Sequence, residues 1–336
     1  MSGRDGGDEG DDNERNDDNE GDEGGPPYPL FPAEQFSFEI APGFPAVHRQ
    51  YRRLTDQKDM VCGAYALTYL LRAYGFTERD GVDVTVDSVA AAAGTALEPH
   101  NAEWLAAVRE AVADGEVPPE RAADWFPHDH YDHGLATADA GGTSAKGLVR
   151  ACETVSGGQL AAVPVPATVD GEVQLTEEAF DAVLSVALGG AFDAQLVCNY
   201  NLKHTLAPAS LLGHKYGLPA LLTRWDDPDY FRTLDWDVGH FTTVAGRASR
   251  RDSDVRYLLV RDSYKTFGWN GYHLQPESSV RRGLVRADDD RDGGVHLVVP
   301  SADRDAVERL LADADLRTGT WDNGSPYLPE SAPFED

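Results

Sequence analysis

The feature that most constrains the fold is an apolar stretch that begins at Cys62 and ends at Gly75. Its apolar residues recur so densely that they cover most of the circumference of a helix, which predicts a helix packed on several sides. They are Ala64, Leu67, Tyr69, Leu70, Leu71 and Tyr74. Gly75 ends the helix because glycine readily adopts the left-handed conformation that closes a helix C-terminus. The sequence therefore places Cys62 in the first turn of a buried helix.

A cysteine at this position has the chemistry of a nucleophile. The first backbone N–H groups of a helix lack intrahelical acceptors, and the positive end of the helix dipole favours thiolate over thiol. A thiolate nucleophile also requires a histidine that carries protons and a polar group that orients the histidine. Residues 239–246 are predicted to form a strand that begins with His240, and residues 257–263 the next strand, which ends in Asp262. Adjacent antiparallel strands would bring both side chains close to the cysteine helix.

This set of residues resembles a known family. Gln57 lies upstream of Cys62 at the start of a helix, and a strand with His240 and a strand ending in Asp262 follow much later. The order resembles the bacteriocin-processing (double-glycine leader) branch of the papain-like cysteine peptidases. The resemblance implies an α+β papain-like fold, in which a helix carrying the cysteine packs on an antiparallel sheet carrying the histidine and the aspartate.

The same resemblance implies a role for each residue. Cys62 matches the nucleophile, His240 the base, Asp262 the orienting residue and Gln57 the side chain that helps form the oxyanion hole. In the family the glutamine usually lies one residue further from the cysteine than Gln57 does. The matching segments are residues 55–75 and 239–263, and the part of the chain between them has no counterpart.

The constellation predicts acyl chemistry without a cofactor. A thiolate would attack a carbonyl, and a histidine would protonate the leaving group, which is the mechanism of a peptide or amide hydrolase. Amide hydrolysis, deamidation and transfer to another acceptor use the same groups. A peptide-binding protein that keeps the fold without cleaving its ligand is a further alternative, and it would follow if Gln57 faced away from the cleft.

Two other groups of residues could bind a metal. Residues 128–133 contain three histidines and two aspartates, but they follow a proline and are more typical of a polar surface loop. Cys198, His204 and His214 form a second set, although Cys198 lies in a predicted buried strand. We therefore expect no metal site. Cys152 lies on the apolar face of a predicted helix, where it is most simply a small core residue.

The composition indicates the environment of the protein. The chain has 58 acidic and 29 basic residues, a formal net charge of -29, and only five lysines. Such an acidic, lysine-poor surface stays hydrated in molar salt and predicts a halophilic archaeal source. No basic stripe is available for phosphates, so nucleic acid is not an expected partner. The expected partner is a peptide or protein substrate.

The charge also varies along the chain. Residues 1–25 contain eleven acidic residues and two arginines with almost nothing apolar, which predicts a disordered tail. Residues 26–54 are rich in proline and aromatic residues and predict an extended arm. Residues 55–316 are expected to form one peptidase-like domain, and residues 317–336 a C-terminal tail. No segment is long and apolar enough to cross a membrane or serve as a signal peptide, so a cytoplasmic protein without a membrane partner is expected.

Overall fold

A seven-stranded antiparallel sheet is the main element of the fold. Its strands are β1 (Phe36–Ile40), β2 (Leu160–Pro166), β3 (Gln195–Asn201), β4 (Gly239–Arg250), β5 (Arg256–Arg261), β6 (Tyr272–Pro276) and β7 (Gly294–Pro300). The computed structural model describes residues 35–122, 131, 133–207, 217–287, 291–329 and 333–334. From Gln35 onward the chain forms one compact unit.

The longest strand organises the sheet. The strands follow the order β6-β5-β4-β3-β7-β2, and β1 also pairs with β4. On one edge of β4, residues 239–244 pair with β3 and residues 246–250 pair with β1. On the other edge, β5 pairs with β4 through a register shift between Val244 and Gly246. The predicted adjacency of the His240 strand and the strand that leads to Asp262 is therefore confirmed.

Helices cover both faces of the sheet. They are α1 (Phe44–Arg53), α2 (Cys62–Ala73), α3 (Val86–Ala92), α4 (Pro99–Ala113), α5 (Ala145–Ser156), α6 (Glu177–Leu188), α7 (Gly217–Thr223), α8 (Glu277–Val285) and α9 (Arg304–Asp313). The core on one face includes residues from α1 to α5, and the core on the other face includes residues from α6, α8 and α9. Successive strand residues point to opposite faces, so Ala162 belongs to the first core and Val163 to the second.

The remaining elements are short. Two-residue strands pair as Glu78–Arg79 with Val82–Asp83, Ala96–Leu97 with Ala136–Thr137, and Thr168–Val169 with Glu172–Val173. Single turns of 3₁₀ helix occur at Pro119–Arg121, Leu202–His204, Pro228–Tyr230 and Ser301–Asp303. Only one of these pairs is parallel, so the described residues form an α+β fold with a mainly antiparallel arrangement, as the sequence predicts.

Helix α2 forms as predicted. It begins at Cys62 and ends at Ala73, and Gly75 follows with a φ of 99°. Every residue from position 63 to position 71 is buried, which explains why the apolar pattern extends around the whole helix. The helix packs between α1 and α3 on one face of the sheet, next to β4.

Gly63 allows α2 to approach β4 closely. A Cβ atom at this position would lie 2.9 Å from the Thr143 Cβ atom and 3.1 Å from the Phe241 ring. We expect Gly63→Ala to lower the free energy of unfolding by about 1–3 kcal/mol, because a methyl group must be forced into a packed interface. Gly134→Ala is the matched control, since a Cβ atom there meets nothing within 4 Å. Thermal unfolding of both variants would show the difference, and equal stabilities would contradict this packing.

Two predicted segments are wrong in part. Within the arm predicted for residues 26–54, β1 is extended and pairs with β4, but residues 44–53 form the helix α1; residues 26–34 lie outside the described residues. The prolines misled the prediction because Pro45 lies in the first turn of α1, where no intrahelical N–H is required. The predicted C-terminal tail belongs to the domain: Trp321 is buried against His296, and Leu328 N–H donates to Gly94 O at 2.9 Å.

Among the described residues, none of the helices has both the length and the apolar character needed to cross a membrane.

Candidate active site

A cavity of about 360 Å³ opens beside the N-terminus of α2. Gln57, Cys62 and His240 line it, and Asp262 lies behind His240 with no exposed surface. Three segments that are distant in sequence thus meet at one place: the start of α2, the start of β4 and the residue after β5. The structure brings all four sequence-predicted site residues together.

Cys62 is the cysteine that the cavity exposes. It is the first residue of α2, and Val61 precedes it as the N-cap without a side-chain cap. Its thiol therefore lies near backbone N–H groups that have no intrahelical acceptor. Cys152 and Cys198 are completely buried, and burial raises the pKa of both thiols. Only Cys62 among the three is accessible to a substrate or a reagent.

His240 connects Asp262 to Cys62. Its Nε2 atom lies 3.0 Å from Asp262 Oδ1, so Nδ1 is the ring nitrogen left for the thiol. Burial lowers the pKa of His240, but the Asp262 carboxylate and a hydrogen bond with Cys62 raise it, and the pKa lies well above its usual range. A histidine with this pKa remains an imidazolium at neutral pH and can stabilise a neighbouring thiolate.

Asp262 is held by more than one donor. Oδ1 also accepts a hydrogen bond from Tyr264 N at 2.9 Å, and Oδ2 lies 3.3 Å from His273 Nε2. Burial raises the pKa of Asp262, but the positive charge and hydrogen bond of His240 and a hydrogen bond from His273 outweigh it and hold this pKa well below its usual range. Asp262 is therefore a carboxylate, which can orient the ring of His240 and stabilise its positive charge.

Aromatic rings cover the histidine. The ring of Tyr264 stacks on His240, with centroids 5.3 Å apart and an interplanar angle of 19°. Trp236 packs on Tyr264 at 5.7 Å and also lines the cavity. These rings keep water away from the His240–Asp262 hydrogen bond, which strengthens it because the local dielectric is low.

Gln57 is buried and anchored to the chain that follows Asp262. Its backbone N–H donates to Ser263 O at 3.3 Å, and its Oε1 atom accepts a hydrogen bond from Ser263 Oγ. Since Oε1 accepts this hydrogen bond, the donor end of the amide is Nε2. Met60 adopts a left-handed φ of 62° between Gln57 and Cys62, so the chain turns and both residues line the same cavity.

Sequence reasoning missed two parts of the site. His273 lies opposite Val260 in the β5–β6 hairpin, on the same face as Asp262. The alternation of His273 and Gln275 with apolar neighbours in a buried strand was a signal, since two buried polar residues on one face need partners. The segment after β7 contributes Asn323 and Ser325 to the cavity wall, and it carries no motif that would reveal this.

The two sets of residues considered as metal ligands are described only in part. Cys198 is buried in β3 and His204 lies in a short 3₁₀ turn, whereas His214 lies outside the described residues. In residues 128–133 only Tyr131 and position 133 are described. No group of three or more potential ligands occurs among the residues whose positions are described.

The fold and the site define a class of protein: an α+β protein with a cysteine, a histidine and an aspartate aligned at the N-terminus of a buried helix. The chain belongs to the family DUF6885, a family of unknown function, whose model matches residues 41–322. The matched region contains all four site residues. No curated protein matches the chain.

Proposed function

We propose that the protein is a cysteine hydrolase that cleaves a peptide or amide bond and has a papain-like fold. One observation carries the proposal: His240 has Asp262 on one ring nitrogen and Cys62 on the other side, at the wall of an open cavity. A buried structural histidine would not require an accessible thiol as its second partner. The proposed partner is a peptide or protein substrate, and the proposed compartment is the cytoplasm.

The reaction would begin with attack of the Cys62 thiolate on the substrate carbonyl carbon. The carbonyl oxygen becomes an oxyanion, and the His240 imidazolium then donates its proton to the leaving amine as the C–N bond breaks. Water attacks the thioester in the second half of the reaction, with His240 accepting the proton of the water; the C–S bond then breaks, which releases the carboxylic acid and regenerates the Cys62 thiolate and the His240 imidazolium. Asp262 holds the ring in place throughout and stabilises its charge, and no cofactor takes part.

The oxyanion needs donors, and two lie at the cavity. The backbone N–H of Cys62 is at the N-terminus of α2, and the Gln57 amide lines the same wall. Donors that are fixed before the reaction stabilise the transition state more than the ground state, because they need no reorganisation. Since Gln57 lines the cavity instead of facing away from it, this residue supports hydrolysis over binding without cleavage.

The proposal can be tested with a library of peptides incubated with the full-length protein in molar potassium chloride. Mass spectrometry would detect new termini after peptide hydrolysis, a small mass change after deamidation, or a new linkage after acyl transfer. We expect products with the native protein and with His100→Ala, whose imidazole is exposed at the surface, but not with His240→Ala. Equal product from His240→Ala and the native protein would contradict the proposed mechanism.

Gln57 can be tested separately from the nucleophile. We expect Gln57→Ala to lower the turnover of a peptide substrate about 100-fold, because one oxyanion donor is lost. Alkylation of Cys62 by iodoacetamide should stay unchanged, since that reaction forms no oxyanion. Gln159→Ala, at an exposed position, is the control. A loss of alkylation equal to the loss of turnover would show that Gln57 acts on the thiol instead.

A further inference from the structure

Asp262 contacts two histidines, and the proposed triad uses only one of them. His240 Nε2 lies 3.0 Å from Oδ1, and His273 Nε2 lies 3.3 Å from Oδ2. Both rings are buried, and neither has more than 3% of its surface exposed. A buried carboxylate between two imidazoles can hold a positive charge on either ring. Proton transfer to a substrate requires that the charge be on His240.

The side chain of Gln275 is fixed by the backbone of one residue. Leu206 N–H donates to Gln275 Oε1 at 2.8 Å, and Gln275 Nε2 donates to Leu206 O at 2.8 Å. A backbone N–H can only donate and a carbonyl can only accept, so the two ends of the amide cannot be exchanged. The second proton of Nε2 is therefore directed at His273 Nδ1, which lies 3.0 Å away.

This contact determines where His273 carries its proton. Nδ1 must accept from Gln275, and a neutral imidazole has one donor and one acceptor nitrogen. The proton is consequently on Nε2, from which it is donated to Asp262. A second proton on Nδ1 would face the NH₂ group of Gln275, donor against donor, so the ring stays neutral.

We propose that Gln275 and His273 are positioning residues of the active site: Gln275, clamped by Leu206, keeps His273 as a neutral donor to Asp262. The negative charge of Asp262 therefore stabilises a positive charge on His240 and not on His273, so His240 is the histidine that gains and loses a proton. The position of the proton on His273 is independent of the proposed hydrolase function, whereas its effect on catalysis rests on that function.

The other charged groups near Asp262 do not alter this assignment. Burial lowers the pKa of Lys265 to about 7, although the Asp56 charge opposes this, and its amino group donates to Tyr51 O at 3.0 Å. Arg261, the preceding residue, donates instead to Tyr272 Oη and Thr243 Oγ1, at 2.9 and 3.2 Å. The tyrosines that interact electrostatically with Asp262 are neutral because burial raises their pKa values: Tyr51, Tyr65, Tyr200 and Tyr264.

Nuclear magnetic resonance of the full-length protein labelled with ¹⁵N-histidine tests the proton position directly. We expect the His273 ring, assigned by comparison with His273→Gln, to show a protonated Nε2 and a bare Nδ1 throughout the neutral pH range. A protonated Nδ1, or a doubly protonated ring, would overturn the proposal. If Cys62 proves unreactive, the hydrolase function fails, but this spectrum still decides the role of Gln275.

Gln275→Glu tests the consequence for His240. A carboxylate has no N–H to donate to Nδ1 and can instead accept a hydrogen bond from a protonated Nδ1, so His273 would become charged and compete for Asp262. We expect the apparent pKa of His240, followed through its ring resonances, to fall by about one unit, which is about tenfold in equilibrium. Urea unfolding would confirm that the variant is folded, and the native spectrum remains decisive if it is not.

The control is Gln275→Glu in a protein that lacks the His273 imidazole. In the His273→Gln background, residue 273 cannot take a proton, so Gln275→Glu should leave the apparent pKa of His240 unchanged. An equal effect of Gln275→Glu in both backgrounds would show that Gln275 does not act through His273. No effect in the native background would contradict the proposal as well.

Discussion

Asp262→Ala is expected to lower the free energy of unfolding by about 3–5 kcal/mol, because it breaks a buried ion pair and leaves its partners without an acceptor. The carboxylate accepts hydrogen bonds from His240, His273 and the backbone N–H of Tyr264. All of its surface is buried, so water cannot replace it without opening the core. Urea unfolding in molar potassium chloride would measure the loss.

The dependence of the stability on pH follows from the directions in which the pKa values of Asp262 and His240 shift on folding. The pKa of Asp262 is lowered in the folded protein. Its contribution to stability is therefore present at pH values above its pKa in the unfolded state, about 3.9, and is lost as the pH falls through its pKa in the folded state. The pKa of His240 is raised in the folded protein. Its contribution to stability is therefore complete at pH values below its pKa in the unfolded state, about 6.5, and is lost as the pH rises through its pKa in the folded state. The pair therefore stabilises the protein most between these two unfolded values.

The control for Asp262→Ala is the same substitution at an exposed aspartate. Asp254 is exposed, and Asp254→Ala should leave both the stability and its dependence on pH close to those of the native protein. Asp262→Ala should be less stable at neutral pH and should lose much of the decline in stability above about pH 6.5 that His240 causes. Similar unfolding curves for the two variants would show that the Asp262 pair does not stabilise the fold.

Cys62→Ala is expected to have the largest effect on activity. Removing the nucleophile of an enzyme that forms a covalent intermediate lowers turnover by about 10⁴-fold or more, because the remaining groups cannot complete the reaction. The fold should be unaffected, since Cys62 is only half-buried and alanine suits a helix. Turnover of any peptide identified as a substrate would measure the effect.

A second cysteine serves as the control for this experiment. Cys152 lies on α5 and is completely buried, so Cys152→Ala should cost some stability and leave turnover per folded molecule unchanged. Turnover by Cys62→Ala at the native level would remove Cys62 from the mechanism. Peptides that bind equally to Cys62→Ala and to the native protein, and that neither protein turns over, would favour a peptide-binding protein.

The sequence was most informative where local pattern and chemistry coincide. The apolar periodicity after Cys62 predicted α2, and the alternation around His240 predicted the strand that carries it. Asp262 was identified because a charged residue ends a buried strand, a position that a core does not favour. Each of these signals lies within about ten residues, which is the range over which helix and strand periods can be read.

The parts that the sequence did not reveal depend on contacts between distant segments. His273 reaches Asp262 only because β6 pairs with β5 after a turn of irregular sequence. Leu206 clamps Gln275 across 69 positions of the chain. The wall residue Asn323 belongs to a segment with no regular pattern, whose position depends on the packing of Trp321 in the core.

The most direct test of the proposed active site is the rate of Cys62 alkylation by iodoacetamide against pH, in molar potassium chloride, for the native protein and for His240→Ala. The predicted result is rapid reaction of the native protein well below pH 8.5, the value at which an ordinary thiol is about half ionised, and loss of this reactivity in the variant. The burial of Cys152 and Cys198 confines the reaction to Cys62. An ordinary or unreactive thiol that does not respond to the loss of His240 would contradict the proposed cysteine–histidine pair.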